Sequence, residues 1–203
     1  MPGLRGQLRS PLCFNGNRMI DPTLPRCAWA TANDPTMQAY HDTEWGVPEH
    51  DDTKLFEMLT LEGAQAGLSW RTVLMRRDAY REAYHGFDIP RVAAMTDAEL
   101  EALIAGSRLI RNRLKIYSVR ENAKAALAVP GRLDAFLWSL ATPTRNRWTN
   151  PSQVPATTPE SDRMSKALRK AGFRFVGSTI CYAFMQATGM VDDHLTTCFC
   201  HRP

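Results

Sequence analysis

The residue with the clearest chemical potential is an acid on an apolar helical stripe. The stretch DDTKLFEMLTLEGAQAGLSW at 51–70 predicts a helix whose core-facing positions follow the spacing i, i+3, i+4 and i+7. Those positions are Leu55, Met58, Leu59 and Glu62. An ionised carboxylate that is buried without a partner costs several kcal/mol or shifts its pKa. Glu62 therefore either pairs with a neighbour at the edge of the stripe or has a chemical task.

Three aromatic residues, Tyr40, Trp45 and Trp70, accompany this acid in the sequence. Aromatic rings beside a buried carboxylate can hold a planar, electron-poor ring between them. The same rings can equally fill the hydrophobic core, and for Trp45 the sequence favours that simpler interpretation.

Cysteine and histidine residues near both ends of the chain have the composition of a zinc site. Cys27 and His41 lie near the start, and His194 and Cys198 form an H-x-x-x-C pair near the end. Two thiolates and two neutral imidazoles are a common tetrahedral set for structural Zn²⁺. Cys200 competes with Cys198 as the fourth ligand, and unliganded buried side chains are the alternative. A metal here would join the N- and C-terminal segments.

The stretch KALRKAGFRFVGSTI at 166–180 predicts a hairpin between two helices. Gly172 suits the position after the first helix, and Gly177 opens the second helix with Ser178 and Thr179. The free N–H groups of a helix N-terminus bind phosphate oxygens well. Lys170 is one of several cations around this point. The pattern is typical either of a helix-hairpin-helix that grips a nucleic-acid backbone or of an ordinary corner between two helices.

The remaining pattern predicts an all-α fold without strands or internal repeats. Helix starts are predicted at Asp34-Pro35, at Asp51 or Thr53, at Ser69, at Pro90 and at Thr96. The helix that begins at Ser69 is expected to run to about Gly86. Further helices are predicted at 110–128, 133–140, 161–171 and 177–189, and the proline-rich stretch 142–160 is expected to be a surface loop.

Composition places the chain among globular proteins with a mild preference for polyanions. The 203 residues are 44% hydrophobic and carry a net charge of +4. No apolar run is long enough to span a membrane. Five widely spread cysteines without an export signal indicate a reducing compartment, and we expect a cytoplasmic protein. Residues 1–25 are predicted to be a flexible extension before one domain at 26–203.

Several ordered runs of the sequence resemble the 3-methyladenine DNA glycosylase I family, the constitutive bacterial alkylation-repair enzymes of the helix-hairpin-helix superfamily. The runs are RCAWA at 26–30, AYHDTEWGVP at 39–48, LFEMLTLEGAQAGLSW at 55–70, SKALRKAGFRFVGSTICYAFMQATG at 165–189 and DDHLTTC at 192–198. The resemblance covers residues 26 to 200. It implies the helix-hairpin-helix glycosylase fold, with one structural Zn²⁺ joining the terminal segments.

The resemblance also implies roles for individual residues. The zinc ligands would be Cys27, His41, His194 and Cys198. Glu62 would recognise the alkylated base while Tyr40 and Trp70 stack on it. The turn residues Gln65, Gly67 and Leu68 would enter the duplex and fill the gap left by the flipped nucleotide.

Two positions stand apart in this comparison. Met37 occupies a place where the family commonly has a second tyrosine, and a thioether packs on a ring without donating a hydrogen bond. Asp192 follows the second hairpin helix, near the place of a catalytic aspartate in related glycosylases.

The function implied is that of a monofunctional glycosylase that hydrolyses the N-glycosidic bond of N3-methyladenine in alkylated double-stranded DNA. No nucleophilic lysine is obviously placed, so strand cleavage is not expected. Two alternatives are a zinc-stabilised protein that binds damaged DNA with little turnover and, less favoured, an RNA-binding hairpin module. We expect a monomer that does not associate with membranes.

Overall fold

The computed structural model describes residues 23–30, 33–106 and 108–201. The predicted extension at 1–25 lies outside the described residues except for its last three positions. The division into an extension and one domain stays a prediction.

Helices dominate the described residues, as the sequence predicts. The α-helices are α1 Pro35–Thr43, α2 Asp52–Gln65, α3 Trp70–Leu74, α4 Arg77–Ala83, α5 Ile89–Ala93, α6 Asp97–Gly106, α7 Arg113–Ala128, α8 Leu133–Ser139, α9 Pro159–Lys170 and α10 Ser178–Ala187. Short 3₁₀ helices lie at His85–Phe87 and Pro151–Gln153. None of the helices in the described ranges is long and apolar enough to cross a membrane.

Side-chain caps define where the site-bearing helices begin. The Asp34 carboxylate accepts a hydrogen bond from the Met37 N–H at the start of α1, and Asp51 accepts one from the Lys54 N–H at the start of α2. Ser69 caps α3 through the N–H of Thr72. These caps satisfy N–H groups that have no partner inside the helix, and they confirm three of the predicted helix starts.

α2 is the central helix, and every residue from Leu55 to Ala64 is buried. It contacts α3, α7, α8 and α10. A helix that is covered on all sides belongs to the core rather than to the surface. Two carboxylates are therefore buried with it, Glu57 and Glu62, at 4% and 3% exposure. Glu57 pairs with Arg77 and Arg81 of α4.

The single helix predicted from Ser69 to about Gly86 is wrong, because the chain breaks after Leu74 into α3, α4 and a 3₁₀ turn. Arg76 has φ −107° and ψ 3°, which is outside the helical region. The break redirects α4 so that two of its arginines reach the buried Glu57 carboxylate. This tertiary ion pair is not visible in the local pattern.

Two short parallel strands, β1 Thr144–Arg145 and β2 Val191–Asp192, correct the prediction that strands are absent. They join the proline-rich stretch to the segment after α10, since the Thr144 N–H donates to the Met190 carbonyl at 3.1 Å. Two residues are too few to produce a recognisable alternation in the sequence. The pairing places the stretch at 142–158 beside the candidate site.

Candidate active site and metal cluster

A cavity of about 620 Å³ lies between α1, α2, α3, α10 and the proline-rich stretch. It brings together seven residues that were singled out from the sequence. They are Cys27, Met37, Tyr40, Trp45, Glu62, Gln65 and Trp70. Trp29, Gln186 and Asp193 also line it, and the sequence analysis did not single these out. The wall is mostly apolar and aromatic with a few polar groups, as is usual for small-molecule sites.

Glu62 contributes an unpaired carboxylate to this cavity. Its side-chain oxygen Oε2 is buried and has no hydrogen-bond partner among the described residues. Burial raises the pKa of Glu62 from 4.5 to about 8, because the charged form loses its hydration without gaining a partner. The alternative in which Glu62 pairs with a neighbouring cation is thus not what the structure shows. Burial therefore favours the protonated acid at neutral pH.

Tyr40 and Trp70 form an aromatic wall beside this acid. Their ring centroids lie 5.2 Å apart at an interplanar angle of 47°. The indole Nε1 of Trp70 is buried and also lacks a hydrogen-bond partner within the described ranges. Burial, with a further contribution from Glu62, raises the pKa of Tyr40 well above 10. The wall therefore combines ring surface with a neutral hydroxyl and an unused indole donor.

Trp45 connects the cavity to the cluster of metal-binding residue types. Its ring meets that of His194 edge-on, with centroids 4.6 Å apart. Trp29 contacts both Trp45 and His41, each at 5.1 Å between ring centroids. A displacement of His41 or His194 would therefore shift the rings of Trp29 and Trp45, which line the cavity.

Asp193 is the second carboxylate of the cavity, and it is fully hydrogen-bonded. Its Oδ1 accepts from Asn146 Nδ2 at 2.7 Å and Trp148 Nε1 at 2.8 Å. Its Oδ2 accepts from the Tyr182 hydroxyl at 2.6 Å and Gln186 Nε2 at 2.8 Å. These four hydrogen bonds satisfy both oxygens of the buried carboxylate.

Asp192, for which the resemblance suggests a catalytic role, is not among the described residues that line the cavity. Its Oδ1 accepts from the ring Nδ1 of His194 at 2.9 Å and from the His194 backbone N–H at 3.2 Å. Hydrogen bonds from His194 hold the Asp192 pKa below its usual value despite burial. This geometry places Asp192 as a support for His194, and its part in catalysis stays a prediction.

The predicted duplex-entering turn follows α2 directly at the edge of the cavity. Gln65 lines the cavity, whereas Leu68 is 42% exposed. Gly67 has φ +82°, a conformation that favours glycine, and a Cβ at this position would have nothing within 4 Å. The turn therefore presents an apolar side chain to solvent.

The predicted DNA-binding hairpin joins α9 and α10. Lys170 ends α9, and Gly172 has φ +97° where the chain leaves that helix. Gly177 is the N-cap of α10 and supplies no side-chain cap, so Ser178 and Thr179 start the helix with free N–H groups. The hydroxyl of Ser178 is bonded to that of Ser161 at 2.8 Å. Gly63 beside Glu62 lies close to Phe175, so the hairpin packs directly on α2.

Side chains from both ends of the described chain form a cluster of histidines and cysteines, the residue types that commonly bind metal ions. His41, His194, Cys198 and Cys200 each offer a ligand atom, and these atoms lie within 4.8 Å of one another. The thiol of Cys27 is adjacent, because it and Cys200 hydrogen-bond Cys198 and hold the pKa of that thiol well below its usual value. The structure thus places Cys200 in the compact group and keeps Cys27 next to it.

The histidines of this cluster are arranged as metal ligands usually are. Nδ1 of His41 lies 2.8 Å from Asp42 and Nδ1 of His194 lies 2.9 Å from Asp192. Each carboxylate fixes the tautomer in which Nε2 carries the lone pair that a metal would bind. Nε2 of His194 is buried and has no hydrogen-bond partner in the part of the chain that the structure describes, and Nε2 of His41 lies 3.4 Å from the Cys198 sulfur. An orphaned imidazole nitrogen among thiols fits Zn²⁺.

Comparison with known proteins assigns this chain to a family. The family model for methyladenine glycosylases matches residues 29–201. The chain belongs to this family. DNA-3-methyladenine glycosylase 1 of Escherichia coli strain K12 is 48% identical over 183 residues, which are 88% of this chain and 97% of that protein.

Solved structures of methyladenine glycosylases share the fold. A crystal structure of 3-methyladenine DNA glycosylase I has a TM-score of 0.85 and 50% identity, and the match covers 88% of this chain and all of that chain (100%). The Staphylococcus aureus 3-methyladenine DNA glycosylase I, solved for the structural basis of 3-methyladenine recognition, has a TM-score of 0.83 and 32% identity over 88% of this chain and 97% of its own. The helical architecture predicted from the sequence is that of this family.

Proposed function

We propose that this methyladenine glycosylase flips 3-methyladenine out of alkylated double-stranded DNA into the cavity and hydrolyses its N-glycosidic bond. The observation that carries the proposal is the buried, unpaired Glu62 carboxyl beside the rings of Tyr40 and Trp70. A protein that binds damaged DNA without turnover is not favoured, because the relatives are named as glycosylases.

The charge of the substrate base explains why such an acid is useful. Methylation at N3 makes the base in DNA cationic, and a cation beside Glu62 favours the ionised carboxylate that burial alone disfavours. The carboxylate then accepts a hydrogen bond from the exocyclic amine. Neutral adenine offers no counter-charge, so its binding leaves the cost of the buried group uncompensated. Stacking on the two rings contributes about 1–3 kcal/mol per base.

The reaction itself needs little acid catalysis, since a cationic base is already a good leaving group. The bond between the base and C1′ breaks, the electron pair leaves with the base, and water adds to the oxocarbenium-like sugar. The buried carboxylate of Asp193 supplies fixed negative charge at the cavity wall, which favours positive charge in the transition state. The described residues that line the cavity include no lysine, which supports a monofunctional enzyme that produces an abasic site.

The hairpin and the cluster have supporting roles in this proposal. The N-terminus of α10 and Lys170 bind a DNA phosphate, in the manner of a helix-hairpin-helix. A single structural Zn²⁺ would be held by His41, His194 and Cys198, with Cys27 or Cys200 as the fourth ligand. The ion would supply a rigid link between the terminal segments and no chemistry. A chromosomal DNA substrate agrees with the expected cytoplasmic location.

The decisive experiment is release of free 3-methyladenine from alkylated duplex DNA by the wild type, Glu62→Gln and the surface control Glu160→Gln. We expect Glu62→Gln to slow single-turnover release by at least about a hundredfold, since one buried electrostatic contact is lost. DNA affinity should change little. Glu160→Gln should behave as the wild type, because Glu160 pairs on the surface with Arg163.

The outcomes separate the parts of the proposal. No release by folded wild-type protein would remove the enzyme assignment. Release at equal rates by wild type and Glu62→Gln would keep the glycosylase and remove Glu62 from base recognition. Nicked DNA as the product would contradict the monofunctional mechanism.

A further inference from the structure

Lys115 of α7 reaches across to the end of the central helix. Its ammonium group donates to the carbonyl of Ala64 at 2.9 Å and to that of Ala66 at 2.6 Å. Ala64 lies in the last turn of α2, and Ala66 is its C-cap. The last carbonyls of a helix have no intrahelical partner. The Lys115 ammonium donates to two carbonyls at this helix end and so caps it.

The position of this lysine is unfavourable for its own helix. Lys115 lies in the first turn of α7, which Asn112 caps through the Lys115 N–H. The N-terminus of a helix carries partial positive charge and favours anions, whereas a cation is favoured at a C-terminus. Partial burial also lowers the pKa of Lys115. The favourable interactions of this side chain are therefore those with the C-terminus of α2.

The residues that Lys115 holds connect the cavity to the exposed turn. Gln65 lies between the two capped carbonyls and lines the cavity. The turn continues through Gly67 to Leu68, whose N–H donates to the Gln65 carbonyl at 2.6 Å. Residues 66–69 are all exposed. Packing does not fix this turn, so its shape depends on hydrogen bonds to its backbone.

We propose that Lys115 is a positioning residue that fixes the 65–69 turn so that Leu68 fills the gap left by a flipped nucleotide. This inference rests on the proposed glycosylase function. Without the two hydrogen bonds the turn samples other conformations. Leu68 then no longer stabilises the DNA from which the base has been flipped. Glu62 and Tyr40 lie in the buried parts of α2 and α1, outside the exposed turn, so we expect their part of the cavity wall to keep its shape.

The test compares Lys115→Met with Lys124→Met, which removes the same charge from an exposed position on the same helix. Three quantities are measured: affinity for free 3-methyladenine by tryptophan fluorescence, the ratio of affinities for abasic-site and intact duplex DNA, and single-turnover release from alkylated duplex. Thermal unfolding checks that each variant is folded. Lys115→Arg, which keeps a cation with donors, is a second variant in case Lys115→Met does not fold.

We expect Lys115→Met to bind the free base within about twofold of the wild type and to lose at least about tenfold in abasic-site preference and release, since misplacement of an oriented group by about 1 Å costs up to about a hundredfold. Lys115→Arg should show a smaller loss of the same kind, and Lys124→Met none. An unchanged abasic-site preference would overturn the proposal. Equal loss of free-base affinity would also overturn it, since that indicates general support of the fold. Failure of the wild type to bind or release the base would instead reject the proposed function.

Discussion

At the scale of single residues, Glu62 combines a cost for folding with a benefit for recognition. Its carboxyl is buried, has an unpaired oxygen and has a pKa of about 8. Such a group destabilises the folded protein whenever it is ionised, and only a cationic ligand compensates. Active sites often carry strained or unsatisfied groups of this kind.

This cost predicts a difference in pH dependence between the wild type and Glu62→Gln. Between the usual value of 4.5 and the folded value of about 8, the folded protein binds more protons at Glu62 than the unfolded chain does. The free energy of unfolding of the wild type therefore falls with rising pH across this window, and the glutamine does not titrate. The variant should gain stability relative to the wild type by up to about 4 kcal/mol from pH 4.5 to pH 8.

Urea unfolding of both proteins at pH 5, 6, 7 and 8 measures this gain, and other titrating groups cancel in the difference. A constant cost of burying the amide shifts the difference without changing its slope. A difference that stays level over this range would show that Glu62 is not held in its protonated form.

The sequence predicts the types of site residues better than their partners. Glu62, Tyr40 and Trp70 meet at the cavity as the resemblance implies. Of two adjacent aspartates, however, Asp192 contacts His194 and Asp193 lines the cavity. Successive side chains of an extended segment point to opposite sides, so only the register of the folded segment decides between them.

At the scale of elements, caps are predictable and tertiary breaks are not. Asp34, Asp51 and Ser69 each accept from the N–H group three residues further along, so a local pattern identifies them. The break after α3 depends on ion pairs with Glu57, which is distant in the sequence. The register of β1 against β2 likewise has no local signal.

Gly189 lies just after α10, where the backbone closely approaches the segment that follows α1. It has φ +69°, and a Cβ there would lie 2.3 Å from the Pro48 nitrogen and 2.4 Å from the Val47 carbonyl carbon. Gly189→Ala should therefore destabilise the fold by at least about 3 kcal/mol, because neither backbone strain nor the clash can relax cheaply. Gly86→Ala is the matched control, since φ is +67° with nothing within 4 Å, and should cost about 1–2 kcal/mol.

Denaturant midpoints of the two glycine variants give this comparison directly. The close approach holds the Trp45-bearing segment against α10, where the Gly46 N–H donates to the Gln186 carbonyl at 3.0 Å. Equal destabilisation by the two substitutions would show that backbone conformation alone, and not the contact, sets the cost.

At the scale of the whole molecule, the two ends of the described chain meet behind the cavity. The Phe199 N–H donates to the Pro25 carbonyl at 2.8 Å, and the Arg26 guanidinium lies 5.3 Å from the centroid of the Phe199 ring. The composition of cysteines and histidines indicated this junction, while the compact grouping of Cys200 with Cys198 required the folded chain. Spacing along the sequence does not determine which thiol lies nearest the histidines.

The junction predicts that a bound metal supports both stability and base binding. Purified wild-type protein should contain one Zn²⁺ per chain, and a strong chelator should lower its Tm by roughly 10 °C, because about 3–4 kcal/mol of linkage is lost at about 2–4 °C per kcal/mol. His194→Gln should lose the metal and have a low Tm without chelator. His50→Gln should keep both, since His50 lies outside the cluster and stacks on Trp138.

Free 3-methyladenine should also bind more weakly to the chelated protein, although His41, His194, Cys198 and Cys200 are not among the described residues that line the cavity. The reason is the contact between His194 and Trp45, whose ring lines the cavity. Metal content, Tm and tryptophan fluorescence measured on the same samples test this coupling. A chelated protein that lost its metal but kept its Tm and its affinity would separate the cluster from the cavity and reduce it to an unliganded group of thiols and imidazoles.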